Sequence, residues 1–293
     1  METQSNTTSL RKALLVLLSF TPYRLEWGTN EIARNVRISK ATAHRILMTL
    51  TEFGMVERDV NTGKYKIGPE LYLLGSLYLN NLNVIEVASP VSKMINELTG
   101  ETVLMGIFDK GNVVMILKEE SRYAFRFALH VGSYWPAHAS AIGKAFLSEM
   151  TEAELDRVYP EEELKRVAPG TITTKTGLKQ NLEQIRKVGI SFANEEGFGG
   201  DVAVACLIRN ARGQAVAGMA IAVPIFRINQ ARKNQLATLV KLGCSLISYK
   251  LGYRDTHNPV QDIQEILSWW ERNKVDAIYQ FDSVEIGTEQ ESR

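Results

Sequence analysis

The sequence predicts an α+β chain in which a winged helix-turn-helix precedes a mainly antiparallel sheet flanked by helices. Three observations predict it. Two short helical patterns lead into a third helix that is followed at once by a hairpin. Hydrophobic periodicity switches from helical to strand-like after Gly100, and a long helical pattern closes the sheet region at 229–251. A chain of 293 residues is long enough for two domains with separate cores. The expected division is 8–68 for the winged helix, 69–83 for a linker helix, 84–254 for the sheet domain and 255–293 for a carboxyl-terminal extension.

Leu10, Ala13, Leu14, Leu17 and Leu18 recur at helical spacing over 10–20, and Pro22 closes that element. Thr29 is expected to cap a second helix, with Glu31 near the positive end of its dipole and Ile32, Ala33 and Val36 as its apolar face. Arg37 and Ile38 make a tight turn. Ser39 then caps a third helix whose apolar residues Ala43, Ile46, Leu47 and Leu50 share one face, and Gly54 ends it. The opposite face carries Ala41, Arg45 and Met48, with Thr42, His44 and Thr49 on the flanks and Lys40 in the first turn. Strands at 55–58 and 65–67, joined through Asn61, Thr62 and Gly63, form a hairpin to which Arg58, Lys64 and Lys66 add positive charge. This order of elements points to double-stranded DNA, read by the third helix in the major groove and held by the wing at phosphates or the minor groove. A winged helix that docks a protein instead is the alternative.

The charge distribution agrees with a nucleic-acid partner. Residues 1–68 hold ten Lys or Arg against six Asp or Glu, whereas 255–293 hold three against nine. Basic charge gathered at one end suits phosphate contact, because neutralised phosphates release counterions.

An apolar-rich helix over 69–83, with Leu71, Leu74, Leu77 and Tyr78, links the two units and suggests contact between copies of the chain. A further helix spans 84–98 and stops at Gly100. Runs at 102–108 and 113–118 flank the turn Asp109-Lys110-Gly111-Asn112, and a third strand is expected at 123–129. A short helix follows at 139–149, another at 178–188, strands at 190–192, 202–208 and 215–223, and the closing helix. In the extension, Ile263, Ile266, Leu267 and Trp270 share one helical face beside Trp269, so an amphipathic helix should pack on its own or a neighbouring subunit. The acidic residues beyond it read as a solvated tail.

Several function classes find no support. No window holds the eighteen or so apolar residues of a membrane span, and the start of the chain lacks the basic and apolar regions of a secretory leader, so a cytoplasmic protein with no membrane partner is expected. Cys206 and Cys244 do not suggest a disulfide framework, and His44, His130, His138 and His257 are scattered without ligand spacing, so neither metal nor cofactor is expected. An enzyme built on His138 and Ser140, with Cys206 near, lacks a G-x-S-x-G turn and an orienting acid.

Three motifs in order resemble the IclR-type transcriptional regulators. They are Ser39-Lys40-Ala41-Thr42-Ala43-His44-Arg45-Ile46-Leu47 with Gly63-Lys64-Tyr65-Lys66-Ile67-Gly68; Pro136-Ala137-His138-Ala139-Ser140-Ala141-Ile142-Gly143-Lys144-Ala145; and Glu195-Glu196-Gly197 followed by 202–224. The resemblance covers about residues 8–254. It implies a GAF-like effector-binding domain behind the winged helix, dimers or tetramers, and a partly palindromic operator. It implies DNA contacts by Thr29, Ser39, Lys40, Thr42 and Arg45, beside which Ala41, His44, Arg58 and Lys64 are candidates from the pattern. The matching effector positions are Ala141 and Ile142 at a helix start, beside Ser140, and Ala193, Ala203, Ala220 and Ala222. In relatives that bind small oxoacids the last four positions can be polar, whereas here all are alanine. The expected effector is therefore an organic acid held by backbone N–H groups near Ala141 and Ile142, larger and less polar than a two- or three-carbon acid, such as an aromatic or branched carboxylate. Met105, Ile107, Phe125 and Trp135 are candidates for the apolar wall.

Overall fold

The computed structural model describes all residues except 1, 22–23, 83, 124–128, 255–259 and 274–293, and of 2–8 and 76–82 it describes the backbone alone. The amino-terminal unit comprises α1 (Glu2–Leu17), α2 (Thr29–Val36), α3 (Lys40–Glu52) and the hairpin β1 (Val56–Arg58) and β2 (Tyr65–Ile67). Its core is Val16, Trp27, Ile32, Ala33, Ala43, Leu47, Val56 and Tyr65, one apolar face from each element. Helix α1 starts and stops earlier than the apolar spacing over 10–20 suggests, since Leu18 to Phe20 already turn and Ser19 Oγ donates back to the Leu15 carbonyl. Pro22, expected to close it, lies outside the described residues.

Thr29 is not the cap of α2 but its first helical residue. Gly28 takes the extended cap conformation without a side-chain cap, and its N–H donates to Glu31 Oε2 at 2.7 Å, the glutamate's half of a capping box. Arg37, left-handed at φ 57°, turns the chain into Ser39, whose Oγ accepts from the Thr42 N–H as predicted. In the wing, Val56 pairs with Ile67 and Arg58 with Tyr65, while Asp59 accepts from the amides of Asn61 and Thr62 to close the turn.

The carboxyl-terminal unit follows α4 (Pro69–Leu82) and α5 (Val84–Thr99). Its strands are β3 (Thr102–Asp109), β4 (Asn112–Glu119), β5 (Tyr134–Pro136), β6 (Ser191–Asn194), β7 (Asp201–Arg209) and β8 (Ala215–Pro224). They form one antiparallel sheet in the order β5-β4-β3-β8-β7-β6. Between them lie α6 (Ala141–Ser148), α7 (Glu152–Val158) and α8 (Lys175–Val188), and beyond them α9 (Gln230–Lys250) and α10 (Ile263–Arg272). The expected strand at 123–129 falls mainly on 124–128, outside the described residues, and among the described residues β5 pairs with the free side of β4 opposite β3.

Both faces of the sheet are covered. Val103, Met105, Val204, Met219, Ile221 and Val223 point to one side and pack with α5, α9 and α10. Leu104, Val113, Met115, Ala193, Ala205, Ala220 and Ala222 point to the other and pack with α6, α7 and α8. Helix α10 seats Ile266 and Trp270 in the first of these cores, so the extension docks on its own chain. Among the described residues no helix is long and apolar enough to cross a membrane.

Candidate DNA interface and effector cavity

The outer side of α3 is built as the sequence suggests. Ala43 and Leu47 are buried against α2 and the wing, which turns Lys40, Ala41, His44, Arg45, Met48 and Thr49 outward. Thr42 is half-buried, its hydroxyl 2.8 Å from that of Ser39. Among the described residues no carboxylate lies within ion-pair distance of Arg45. The wing places Arg58 and Lys64 on the surface of the same unit. Arg58 Nε donates to the Gly63 carbonyl, Lys64 Nζ stands 4.0 Å from Glu26, and Lys66 pairs with Glu57 at 3.3 Å. Such exposed pairs stabilise little, so these cations stay available to phosphate. Thr29, half-buried at the start of α2, presents that helix's positive end.

In the second unit a cavity of about 40 Å³ lies between the start of α6 and the sheet. Ala193, Ala203, Ala220 and Ala222 line it, as do Ser140, Ala141, Ile142 and Trp135. Strand pairing brings the alanines together: Ala193 faces Ala203, Ala203 faces Ala222, and Ala220 faces both Leu104 and Ala205. The structure corrects two of the wall candidates. Met105 and Ile107 lie on the opposite face, Met105 fully buried beside Ser92 and Ile107 packed on the α5–α9 core, because successive strand residues alternate sides. Phe125 lies outside the described residues. In place of these, Leu104, Met115, Leu129 and Phe198 supply apolar wall, with Phe198 stacked on Trp135 at 4.3 Å between ring centres, and Asp201 supplies a carboxyl group. Leu104 and Met115 carried no sequence signal that separates the sheet faces. Asp201 carried one, as an acid in step with Ala203 and Ala205 along an otherwise apolar strand.

Helix α6 is aimed by its surroundings. Ser140 Oγ accepts from the Gly143 N–H at 2.9 Å, leaving the N–H groups of Ala141 and Ile142 without an intrahelical acceptor. A Cβ on Gly143 would stand 2.2 Å from the Ala137 carbonyl oxygen, so only glycine lets the helix start against the preceding turn. Lys144, fully buried, holds Glu196 at 2.6 Å and ties α6 to the loop after β6. Burial pulls the ammonium below its ordinary value, and the Glu196 carboxylate acts against that. His138 braces the helix start: its Nε2 is 2.9 Å from the Lys165 carbonyl, and its backbone N–H donates to the Tyr159 hydroxyl. Burial holds the imidazole below its usual range, and the Lys165 carbonyl opposes this. Ser140 is thus occupied as a cap and His138 as a brace, an arrangement without a nucleophile and base in contact. Among the described residues no cluster of His, Cys, Asp or Glu could hold a metal ion.

Comparison with known proteins agrees with this geometry. The IclR helix-turn-helix domain matches residues 9–60, and the bacterial transcriptional regulator IclR carboxyl-terminal domain matches 76–249. The HTH-type transcriptional regulator KdgR of Escherichia coli (strain K12) is 30% identical over 230 residues, 78% of this chain and 88% of that protein. The crystal structure of Thermotoga maritima IclR superposes with a TM-score of 0.68 at 30% identity, covering 84% of this chain and all of that one. An IclR homolog from Microbacterium hydrocarbonoxydans, crystallised with 4-hydroxybenzoate, shares the fold with a TM-score of 0.75 at 22% identity over 83% of this chain and 98% of its own. Both domains fall in order on one polypeptide, and the relatives that share them are regulators rather than enzymes. The chain belongs to the IclR family of DNA-binding transcriptional regulators, with a carboxyl-terminal ligand-binding domain.

Proposed function

We propose that this regulator binds a partly palindromic operator as a dimer or tetramer and that an aromatic carboxylate in the α6 cavity changes its hold on DNA. The observation that carries the reading is the quartet Ala193, Ala203, Ala220 and Ala222 on the sheet face of the cavity, beside Leu104 and Met115, with Leu129 and Trp135 lining it further. Methyl groups at these positions give a small oxoacid nothing to hydrogen-bond, whereas a planar ring gains from their burial. The free amides of Ala141 and Ile142, at the positive end of α6, suit the carboxylate. A cavity of about 40 Å³ holds only a few waters, so a ring enters by displacing the stacked Trp135 and Phe198. The 4-hydroxybenzoate bound by the Microbacterium homolog is of the size and chemistry proposed.

On the DNA side, Ser39, Lys40, Thr42 and Arg45 enter the groove, with Ala41 and His44 beside them and Thr29, Arg58 and Lys64 at phosphates. Self-association is supported by exposed Leu10 and Leu14 on α1, Leu18 just after it, and Tyr72, Leu73 and Leu74 on α4. Calorimetric titration of the intact protein with benzoate-type acids, pyruvate and glyoxylate tests the effector class. Binding of aromatic acids and indifference to the oxoacids is expected; tight binding of pyruvate or glyoxylate alone contradicts it.

A further inference from the structure

Asp201 opens β7 and is only 6% exposed, yet its Oδ1 has no hydrogen-bond partner among the described residues. A buried polar atom without a partner costs stability and calls for an explanation. The same residue lines the α6 cavity. Strand register fixes where. Asp201 pairs with Pro224, Ala203 with Ala222 and Ala205 with Ala220, so Asp201 continues the alanine floor by one more step on the same face. Ala141 and Ile142 at the start of α6 line the same cavity, so its N–H donors and the Asp201 acceptor share one apolar space.

We infer that Asp201 sets the specificity of this cavity, its Oδ1 accepting the hydrogen of a ring hydroxyl on an aromatic acid whose carboxylate sits at the start of α6. The inference rests on the effector class proposed above and narrows it to hydroxylated rings. A second carboxylate on the ligand is disfavoured at this end by like charge, with Glu195 and Glu196 close by. An unsubstituted ring leaves Oδ1 as unpartnered as it is in the free protein, so it gains burial but no hydrogen bond. A phenolic hydroxyl is a strong donor, and its bond to Asp201 satisfies that buried oxygen.

The test is calorimetric titration of the full chain with benzoate, 4-hydroxybenzoate, 3-hydroxybenzoate and pyruvate, in the native protein and in Asp201→Asn and Asp201→Leu. The native protein should favour at least one hydroxybenzoate over benzoate by about tenfold or more. Asp201→Asn, which keeps an acceptor oxygen, should retain most of that preference. Asp201→Leu should abolish it while binding benzoate as well as before or better, with Asp201→Ala giving the same readout should leucine fail to fit. Equal binding of benzoate and both hydroxybenzoates by the native protein, or a hydroxyl preference that survives in Asp201→Leu, overturns the role of Asp201 and leaves the effector class standing. Binding of pyruvate with no aromatic acid bound overturns both.

Discussion

Arg45 and Asp201 make opposite demands on their surroundings. Arg45 projects from the exposed side of α3 with no carboxylate in ion-pair range among the described residues, so its guanidinium is available to a phosphate or a guanine edge. Arg45→Ala should weaken operator binding by about 1–3 kcal/mol, roughly tenfold to a hundredfold, without altering the melting temperature. Gel-shift titration and thermal denaturation check both halves. Asp201 is governed by burial, which pushes its carboxyl up to about 7 against the support of the Phe198 and Asp201 amides, with Glu195 and Glu196 adding to the rise. Its folded-state value then lies above that of the unfolded chain, so the unfolded chain ionises first. Its contribution to stability is full below the ordinary carboxyl range and is lost as pH rises to about 7. Asp201→Asn should therefore flatten the melting-temperature profile across that window and raise the melting temperature at pH 8 by a few degrees, about 3–6 °C. A profile identical to that of the native protein contradicts this.

The elements around α6 act through their ties. Glu196→Ala leaves Lys144 buried and uncompensated and should cost about 3–5 kcal/mol, seen as a lowered denaturant midpoint. Ser140→Ala removes the cap of α6 and should cost about 0.5–2 kcal/mol while also slackening the helix start that the proposal gives to the carboxylate. How far such elements were legible depended on what covers them. The third helix and the wing could be placed from sequence because one face of each is buried and the other wet, so apolar spacing reports the face directly. In β3 that information is missing: helices cover both sides of the sheet, Thr102 to Met105 are all buried, and no alternation separates Leu104, on the cavity, from Met105, behind it. The cap of α2 was misplaced for a different reason. Threonine is a good cap by type, but the cap position falls one residue earlier on Gly28, which has no side chain to announce it and donates its N–H to Glu31.

Across the whole molecule, family motifs placed Ala141, Ile142 and the four alanines on one cavity, although only strand register explains why residues as distant as Ala193 and Ala222 meet. Phe198 sits where the loop after β6 folds back over the sheet, a path that no local pattern encodes, whereas Asp201 opens β7 in step with Ala203 and Ala205. The amino-terminal unit carries the basic excess and the sheet unit the cavity, so the account requires the occupant of one to alter the hold of the other on DNA. Fluorescence anisotropy of the intact protein on its own upstream DNA, at fixed moderate salt and with and without 4-hydroxybenzoate, tests that requirement most directly. Tight, sequence-selective binding whose affinity shifts at least severalfold when the acid is added is the expected result. Weak binding indifferent to sequence, or selective binding that no aromatic acid changes, would contradict it.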